Sequence, residues 1–292
     1  MRSEQEMLDL ILKIAKEEKR IRALYMFGSR ANPVAETDKF SDFDIGFIVT
    51  ETEPFIKDKK WLYSFGDIAI VFKSQWNRLQ FGLTGETIDF ARRYIWGILF
   101  KDGNRIDLII EIVEEAMKSV YVFGMPTIKL LDKDGVLPVN PASLTKTDFS
   151  AGKPDRDKYE ACCTAFWWFL NDVAKRIVRN ELPYAFETYN NFVRYTLNQM
   201  ADWYIGIQSD FSVSAGRSNK YYKKYLPADF YNLYAETYSG CNYTSLWSAI
   251  FSGCTLFEEL AVYVGRHYGF SYNKEEEDNM LEYLTKVKKV KE

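Results

Sequence analysis

Hydrophobic and polar positions divide the chain into two parts with different periods. In the first part, short apolar runs alternate with polar turns, a pattern typical of β-strands bounded by loops. The predicted strands are residues 23–28, 43–50 and 65–72, a run around Asp107, and residues 127–131. In the second part, apolar positions recur at helical spacing. They predict helices at residues 155–179, 182–206, 227–238, 243–268 and 275–290.

Two more amphipathic segments accompany the predicted strands. Residues 3–20 place apolar side chains on one side and charges on the other, and Ser3 followed by Glu6 fits a capping box. Residues 112–121 are also predicted to form a helix. We therefore expect an α+β protein, with an N-terminal mixed sheet flanked by helices and a C-terminal α-helical bundle.

A linker separates these two parts of the chain. Residues 138–155 contain three prolines and a glycine among Ser, Thr and Asp, which is the composition of a loop between domains. The predicted domains are therefore residues 1–140 and residues 141–292.

The first predicted strand ends in a turn suited to binding an anion. The apolar run 23–27 stops abruptly at Gly28-Ser29-Arg30. Glycine lets the backbone approach a phosphate closely, and the amides of Ser29 and Arg30 can then point at its oxygens.

Carboxylates stand at the start of the next strand and on a later one. Asp42 and Asp44 are two residues apart, so their side chains share one face of the strand. Two carboxylates this close repel each other unless a cation lies between them or one takes a proton. Asp107 lies in an otherwise apolar run, 106–110, where an unpaired charge is costly. Three acids beside a Gly-Ser turn suit nucleotidyl transfer assisted by Mg²⁺, which prefers oxygen ligands.

Composition narrows the class of protein. The 292 residues are 47% hydrophobic and 27% charged, as in soluble globular proteins, and a net charge of −3 argues against a general nucleic-acid binder. The four cysteines lack metal-binding spacing, and the only histidine, His267, leaves little basis for a histidine-based triad. No signal-peptide core or membrane-spanning stretch is evident, so we expect a cytoplasmic protein that binds neither nucleic acid nor membrane.

The candidate residues lie in segments that resemble a known family. Gly28-Ser29, the run Asp42 to Ile45 and Asp107 on a later strand resemble the signature of the DNA polymerase β-like nucleotidyltransferase superfamily. Longer segments resemble the aminoglycoside 6-adenylyltransferases, the streptomycin-modifying family, over nearly the whole chain. Beyond the signature, these segments are residues 65–70 (FGDIAI), 100–108 (FKDGNRIDL), 131–135 (LDKDG), 166–168 (FWW) and 203–207 (WYIGI).

The resemblance implies a reaction. It implies a nucleotidyltransferase domain at residues 1–140, a helical acceptor-binding domain at residues 141–292, and transfer of AMP from ATP to a hydroxyl of a streptomycin-like aminoglycoside. Pyrophosphate leaves, and the product confers resistance. Asp42 and Asp44 would hold Mg²⁺. Asp107 would either complete the metal site or act as the general base; a metal-bound carboxylate is a weaker base, so the two roles compete and the sequence leaves both open.

The resemblance also implies contacts to the nucleotide. The predicted residues are Gly28, Ser29, Arg30 and Lys133. Ser29 would bind a β- or γ-phosphate oxygen, whereas Arg30 and Lys133 would neutralise charge on the triphosphate.

The acceptor pocket should offer carboxylates and aromatic faces, because aminoglycosides carry several positive groups. The predicted acceptor residues are Trp96, Tyr159, Glu187, Asn190 and Lys220. Asn190 stands where the resemblance leads us to expect an acid, and Arg217 stands where it leads us to expect a lysine.

Three alternatives to a streptomycin-modifying enzyme follow from the same residues. One is a nucleotidyltransferase that acts on another small molecule, such as a lincosamide. A second is a regulatory protein that keeps the fold and binds nucleotide without turnover, against which the intact set of three acids argues. A third is an enzyme that adenylylates proteins. In our primary interpretation the partners are ATP and a cationic small molecule, and the protein is a monomer.

Overall fold

The computed structural model divides the chain into two compact units. The described residues are 1–33, 35, 37–73, 89–122, 127–137 and 152–291. The two units are Met1–Thr145 and Lys146–Glu292. The predicted boundary between residues 140 and 141 lies outside the described residues. Each unit has a hydrophobic core of its own.

The first unit is built on a mixed sheet. Its strands are β1 (Ile21–Phe27), β2 (Phe43–Val49), β3 (Ile68–Lys73), β4 (Arg93–Phe100), β5 (Arg105–Ile112) and β6 (Thr127–Asp132). They lie in the order β3-β4-β5-β2-β1-β6. Only β2 and β5 pair in parallel among these strands; the other neighbours are antiparallel. The central strands β2 and β5 are almost continuously apolar because they are buried on both faces.

Helices flank this sheet, as the sequence predicts. They are α1 (Glu4–Glu17), α2 (Glu53–Lys57) and α3 (Val113–Val122), with 3₁₀ turns at Ser29–Ala31 and Lys60–Phe65. The predicted capping box of α1 is confirmed: the Ser3 amide donates to the Glu6 carboxylate at 2.7 Å, and the Glu6 amide donates to the Ser3 hydroxyl at 3.3 Å. The predicted strand 65–72 begins later than expected, because the second 3₁₀ turn delays it to Ile68.

Alternation along β2 assigns the acids to one face of the sheet. Phe43 and Phe47 point into the large core that includes Met7 of α1. Ile48 points the other way, into a smaller cluster with Tyr25. Because side chains alternate along a strand, Asp44 points to the same face of the sheet as Ile48, which is the face away from α1.

The second unit is helical, which confirms the predicted α+β class. Its helices are α4 (Arg156–Val178), α5 (Leu182–Thr188), α6 (Arg194–Gln208), α7 (Tyr222–Tyr225), α8 (Ala228–Glu236), α9 (Tyr243–Tyr268) and α10 (Lys274–Lys291). In its core Phe166 of α4 stacks on Phe257 of α9, with ring centroids 3.8 Å apart. A π-helical turn, Tyr189–Val193, interrupts the predicted helix 182–206. Within the described ranges, no helix has the length and apolar character that a membrane span requires.

Candidate active site

The turn after β1 packs directly against an acid of β2. Gly28 has φ +73°, a conformation that favours glycine, and it leads into the 3₁₀ turn that contains Ser29. A Cβ at Gly28 would lie only 2.1 Å from Oδ2 of Asp44. The absence of a side chain at Gly28 therefore lets the backbone of the turn and the Asp44 carboxylate occupy neighbouring positions.

The parallel register of β2 and β5 brings the predicted acids together. Asp44 is paired with Asp107 across the two strands, and Asp42 lies two residues before Asp44. Burial, and then the charges of Asp107 and Asp42, raises the pKa of Asp44 to about 6. Burial also raises the pKa of Asp42. The cluster therefore holds more negative charge than its surroundings readily accommodate.

A basic residue that the sequence reasoning missed compensates part of this charge. Arg105, the first residue of β5, donates from Nε and Nη2 to the two oxygens of Asp107 at 2.8 and 2.6 Å. Its Nη1 lies 3.4 Å from Oδ2 of Asp42. The available signal was its position two residues before Asp107, which places both side chains on one face of the strand.

The three carboxylates have the chemistry of a magnesium site. Oxygen donors from Asp42, Asp44 and Asp107 are the type of ligand that Mg²⁺ prefers. The pKa of Asp44 is raised first by burial and then by the charges of Asp107 and Asp42, and a bound divalent ion would oppose both effects. In the part of the chain that the structure describes, however, no three acidic, histidine or cysteine side chains converge closely enough to hold an ion. The donor types fit, whereas Arg105 pairs with two of these acids in their present arrangement.

Arg30 stabilises the loop that carries Asp42. Its guanidinium donates to the carbonyls of Ser41 and Asp42 at 2.8 and 3.2 Å, pairs with Glu4 at 2.7 Å and stacks over Phe43. Its side chain is only 4% exposed. These contacts make Arg30 a positioning residue, which corrects the prediction of a phosphate contact.

Lys133 lies away from the carboxylate cluster. Its ammonium donates to the carbonyls of Ala15 and Glu18, at the end of α1, at 2.7 and 3.0 Å. Its amide bonds to the carbonyl of Arg22, near the start of β1, whereas Gly28 follows the other end of that strand. Six residues of strand span roughly 20 Å. Lys133 therefore caps the C-terminus of α1, and the predicted nucleotide contact is not supported.

Replacing Lys133 with alanine is expected to lower stability and leave ATP handling unchanged. The substitution removes donors from the final carbonyls of α1, which costs about 1 kcal/mol of unfolding free energy. Urea unfolding should detect this loss, while the KM for ATP stays within about twofold of the wild-type value. A large rise in the KM for ATP at unchanged stability would contradict this assignment.

Two predicted acceptor residues are buried in the cores. Trp96 is 0% exposed and packs against Tyr94 at a centroid distance of 4.7 Å. Tyr159 is also 0% exposed, and its hydroxyl donates to the carbonyl of Ala261 at 2.8 Å. Fully covered side chains cannot touch an acceptor, which corrects the prediction for both residues.

The other three acceptor candidates are exposed. Glu187 lies in the last turn of α5, and Asn190 lies three residues further on, in the π-helical turn, a feature often found at functional sites. Lys220 follows Ser218 and Asn219, which have φ of 56° and 62°. Left-handed backbone at residues other than glycine carries strain and clusters at binding sites. These surfaces remain available to a ligand.

The turn at Gly28 packs against Asp44, which is paired with Asp107 on the adjacent strand, an arrangement that suits a nucleotidyltransferase. Comparison with known proteins agrees with this class. The model of the streptomycin adenylyltransferase family matches residues 1–287, so the chain belongs to that family.

Named relatives are similar over most of the chain. An aminoglycoside 6-adenylyltransferase of Campylobacter jejuni is 35% identical over 231 residues, which are 79% of this chain and 77% of the relative. Proteins of the same name from Bacillus subtilis (strain 168) and Staphylococcus aureus are 34% and 29% identical, over 77% and 80% of both chains. A crystal structure of an aminoglycoside 6-adenyltransferase from Bacillus subtilis aligns with 98% of this chain and 99% of its own, at 27% identity and a TM-score of 0.46.

Proposed function

We propose that this enzyme transfers AMP from ATP to a hydroxyl of a streptomycin-like aminoglycoside, in the presence of Mg²⁺, and thereby confers resistance. The observation that carries the proposal is the pairing of Asp44 with Asp107 across parallel strands, beside the turn at Gly28. Membership of the streptomycin adenylyltransferase family and the names of the relatives support the choice of donor and acceptor.

The reaction exchanges one bond at phosphorus for another. The acceptor hydroxyl oxygen attacks the α-phosphorus of ATP, a new O–P bond forms, and the bond to the bridging oxygen breaks so that pyrophosphate leaves. The proton of the hydroxyl passes to a base. A magnesium ion held by Asp42 and Asp44, with or without Asp107, would supply charge neutralisation on the triphosphate.

The protein's own groups would align the reactants. The backbone of the Gly28 turn and the Ser29 hydroxyl would bind phosphate oxygens, and Arg30 keeps the loop carrying Asp42 in place. Asp107 would complete the metal site or accept the proton. Both of its oxygens accept hydrogen bonds from Arg105, so in either role Asp107 would share its charge with Arg105 or exchange that pair for the new partner.

We also propose a setting for this reaction. The enzyme would act as a monomer in the cytoplasm, where its donor ATP is made, without a nucleic acid or membrane partner. The net charge of −3 supports a small cationic acceptor over a polyanionic one.

The test is incubation of the purified protein with ATP, Mg²⁺ and a panel of antibiotics, with pyrophosphate release and product mass as readouts. A mass gain of one AMP on streptomycin would support both substrate and reaction. Transfer of AMP to a lincosamide or another acceptor would support the reaction type and show that the aminoglycoside is not the substrate. Binding of Mg-ATP without transfer to any antibiotic would favour the regulatory alternative, and labelling of a protein would favour a protein-modifying enzyme.

Exchanging charges near the π-helical turn is expected to shift acceptor affinity in opposite directions. Glu187→Gln should raise the KM for the aminoglycoside about tenfold, because a charge-assisted hydrogen bond is lost. Asn190→Asp should lower it, because a carboxylate is gained beside Glu187. The KM for ATP should not change in either variant. Glu275→Gln, at an exposed glutamate of α10, is the matched control. If the KM for the acceptor is the same in all three variants and the wild type, Glu187 and Asn190 do not line the acceptor pocket.

A further inference from the structure

Arg105 is placed so that it neutralises two of the three carboxylates at once. Its guanidinium fork pairs with both oxygens of Asp107 at 2.8 and 2.6 Å, and its remaining terminal nitrogen lies 3.4 Å from Asp42. The side chain is 50% exposed, so it can leave this position without unpacking the core. Its side chain therefore pairs with two carboxylates of the cluster while half of its surface stays exposed to solvent.

A divalent ion and this guanidinium would both draw on the negative charge of Asp107. The carboxylate already directs both oxygens at Arg105. Two cations on one carboxylate would also repel each other at short range in a partly buried site. Among the described residues the three acids do not converge on one point, although the register places Asp44 opposite Asp107, and Arg105 pairs with Asp107 and Asp42 in this arrangement.

We propose that Arg105 is an internal counter-ion of the active site, which competes with the divalent cation for Asp107 and Asp42 and is displaced when that cation binds. The inference rests on the proposed function, because it takes these acids to be the cation site. It gives Arg105 a positioning role: the residue keeps three like charges together in one folded arrangement and sets the cation concentration at which they become available.

The test measures cation binding directly, without ATP or acceptor. Mn²⁺, which can be counted by the paramagnetic resonance signal of the free ion, is titrated into the wild type, Arg105→Gln and Arg105→Lys. The Kd for Mn²⁺ should fall about tenfold in Arg105→Gln, because the competing charge is gone. Arg105→Lys should lie between the two, since a lysine keeps the charge but not the bidentate fork.

A matched control separates competition from a general change in charge. Arg22→Gln removes an arginine that also forks onto one carboxylate, that of Asp134, but lies near the opposite end of β1 from Gly28. Its Kd for Mn²⁺ should equal that of the wild type. Thermal unfolding gives a second readout: Arg105→Gln should melt at a lower temperature than the wild type in EDTA and should gain more from added Mn²⁺.

Unchanged or weaker Mn²⁺ binding by folded Arg105→Gln would overturn the inference, as would an equal effect of Arg22→Gln. If Arg105→Gln does not fold, the comparison of Arg105→Lys with the wild type decides in the same way. If Arg105→Gln binds Mn²⁺ more tightly but the wild type adenylylates no antibiotic, the counter-ion role of Arg105 is supported and the proposed acceptor is wrong. If the wild type adenylylates an antibiotic but Arg105→Gln binds Mn²⁺ with unchanged affinity, the proposed function is supported and the counter-ion role is wrong.

Discussion

Replacing Asp44 with asparagine is expected to lower the rate of adenylyl transfer by about 10³-fold or more while the protein stays folded. Asp44 lies between the other parts of the site: it is opposite Asp107 in the strand register, it follows Asp42 by two residues, and its Oδ2 fills the space where Gly28 lacks a side chain. Asparagine has the same shape but cannot supply the negative charge that a bound cation needs. The loss should therefore fall mainly on kcat, as expected for charge neutralisation at the α-phosphate under attack and on the leaving pyrophosphate.

The same substitution should stabilise the protein at neutral pH when divalent ions are removed. Burial and two neighbouring carboxylates raise the pKa of Asp44 to about 6 from its usual value near 3.8. The folded protein thus holds this proton more tightly than the unfolded chain does. As the pH rises from about 4 through 6, ionising Asp44 lowers the stability of the folded state, and asparagine avoids that loss. A two-unit shift corresponds to roughly 3 kcal/mol, which partial exposure reduces to about 1–2 kcal/mol.

Urea unfolding in EDTA at pH 4 and pH 8 measures this difference. Wild type and Asp44→Asn should be close at pH 4, and the variant should be the more stable at pH 8. Asp9→Asn, at an exposed acid of α1, should change neither stability nor transfer. Near-normal turnover by Asp44→Asn would end the case for a carboxylate-based mechanism, whatever its stability.

The acids could be predicted because local rules place them. Strand alternation puts Asp42 and Asp44 on one face, and the apolar neighbours of Asp107 predict a partly buried carboxylate that needs a partner. Their meeting across β2 and β5 depends on the parallel register, which the sequence does not specify residue by residue. The partner of Asp107 was missed for the same reason, since an arginine at the start of a strand has many possible contacts before the register is known.

The acceptor residues were harder to predict, because burial is a tertiary property. Trp96 and Tyr159 have the aromatic character of pocket residues, yet they lie fully inside the two cores. Lys133 stands in a polar turn, which predicts an exposed side chain. Its amide, however, donates to the carbonyl of Arg22, and this places its ammonium at the C-terminal end of α1. In each case the surroundings of the side chain depend on tertiary packing that residue spacing alone does not encode.

The π-helical turn 189–193 is a further feature that periodicity could not reveal. A π turn adds one residue to a helical turn without interrupting the hydrophobic pattern strongly, so residues 182–206 were predicted as one helix. Asn190 lies within this turn and Glu187 lies two residues before it, a local geometry that the sequence pattern does not reveal.

Replacing Gly28 with alanine is expected to lower transfer about 10²-fold and to destabilise the protein by about 2–3 kcal/mol. Two causes add. The φ of +73° is strained for alanine, which costs about 1 kcal/mol, and the new methyl group would lie 2.1 Å from Oδ2 and 2.8 Å from Cγ of Asp44. The carboxylate has to move, and a displacement of about 1 Å in a catalytic group costs on the order of 10²-fold in rate.

Gly135 supplies a control with the same backbone strain. Its φ is +67°, but a Cβ built there meets nothing within 4 Å. Gly135→Ala should therefore lose only about 1 kcal/mol of stability, measured by urea unfolding, and keep full transfer activity. The difference between the two alanine variants isolates the contact with Asp44 from the cost of the left-handed conformation.

A double variant tests whether that contact is the cause. In an Asp44→Ala background the two closest atoms are gone, and only the Asp44 Cβ position remains, 3.2 Å from the new methyl group. Gly28→Ala should then cost little more than Gly135→Ala does, so the pair should show a coupling energy of about 1–2 kcal/mol. Additive losses would mean that Gly28 acts through the turn backbone alone. A positive result would establish that the Gly28 turn and the acid of β2 are fitted to each other, because the Asp44 carboxylate occupies the space that a side chain at Gly28 would need.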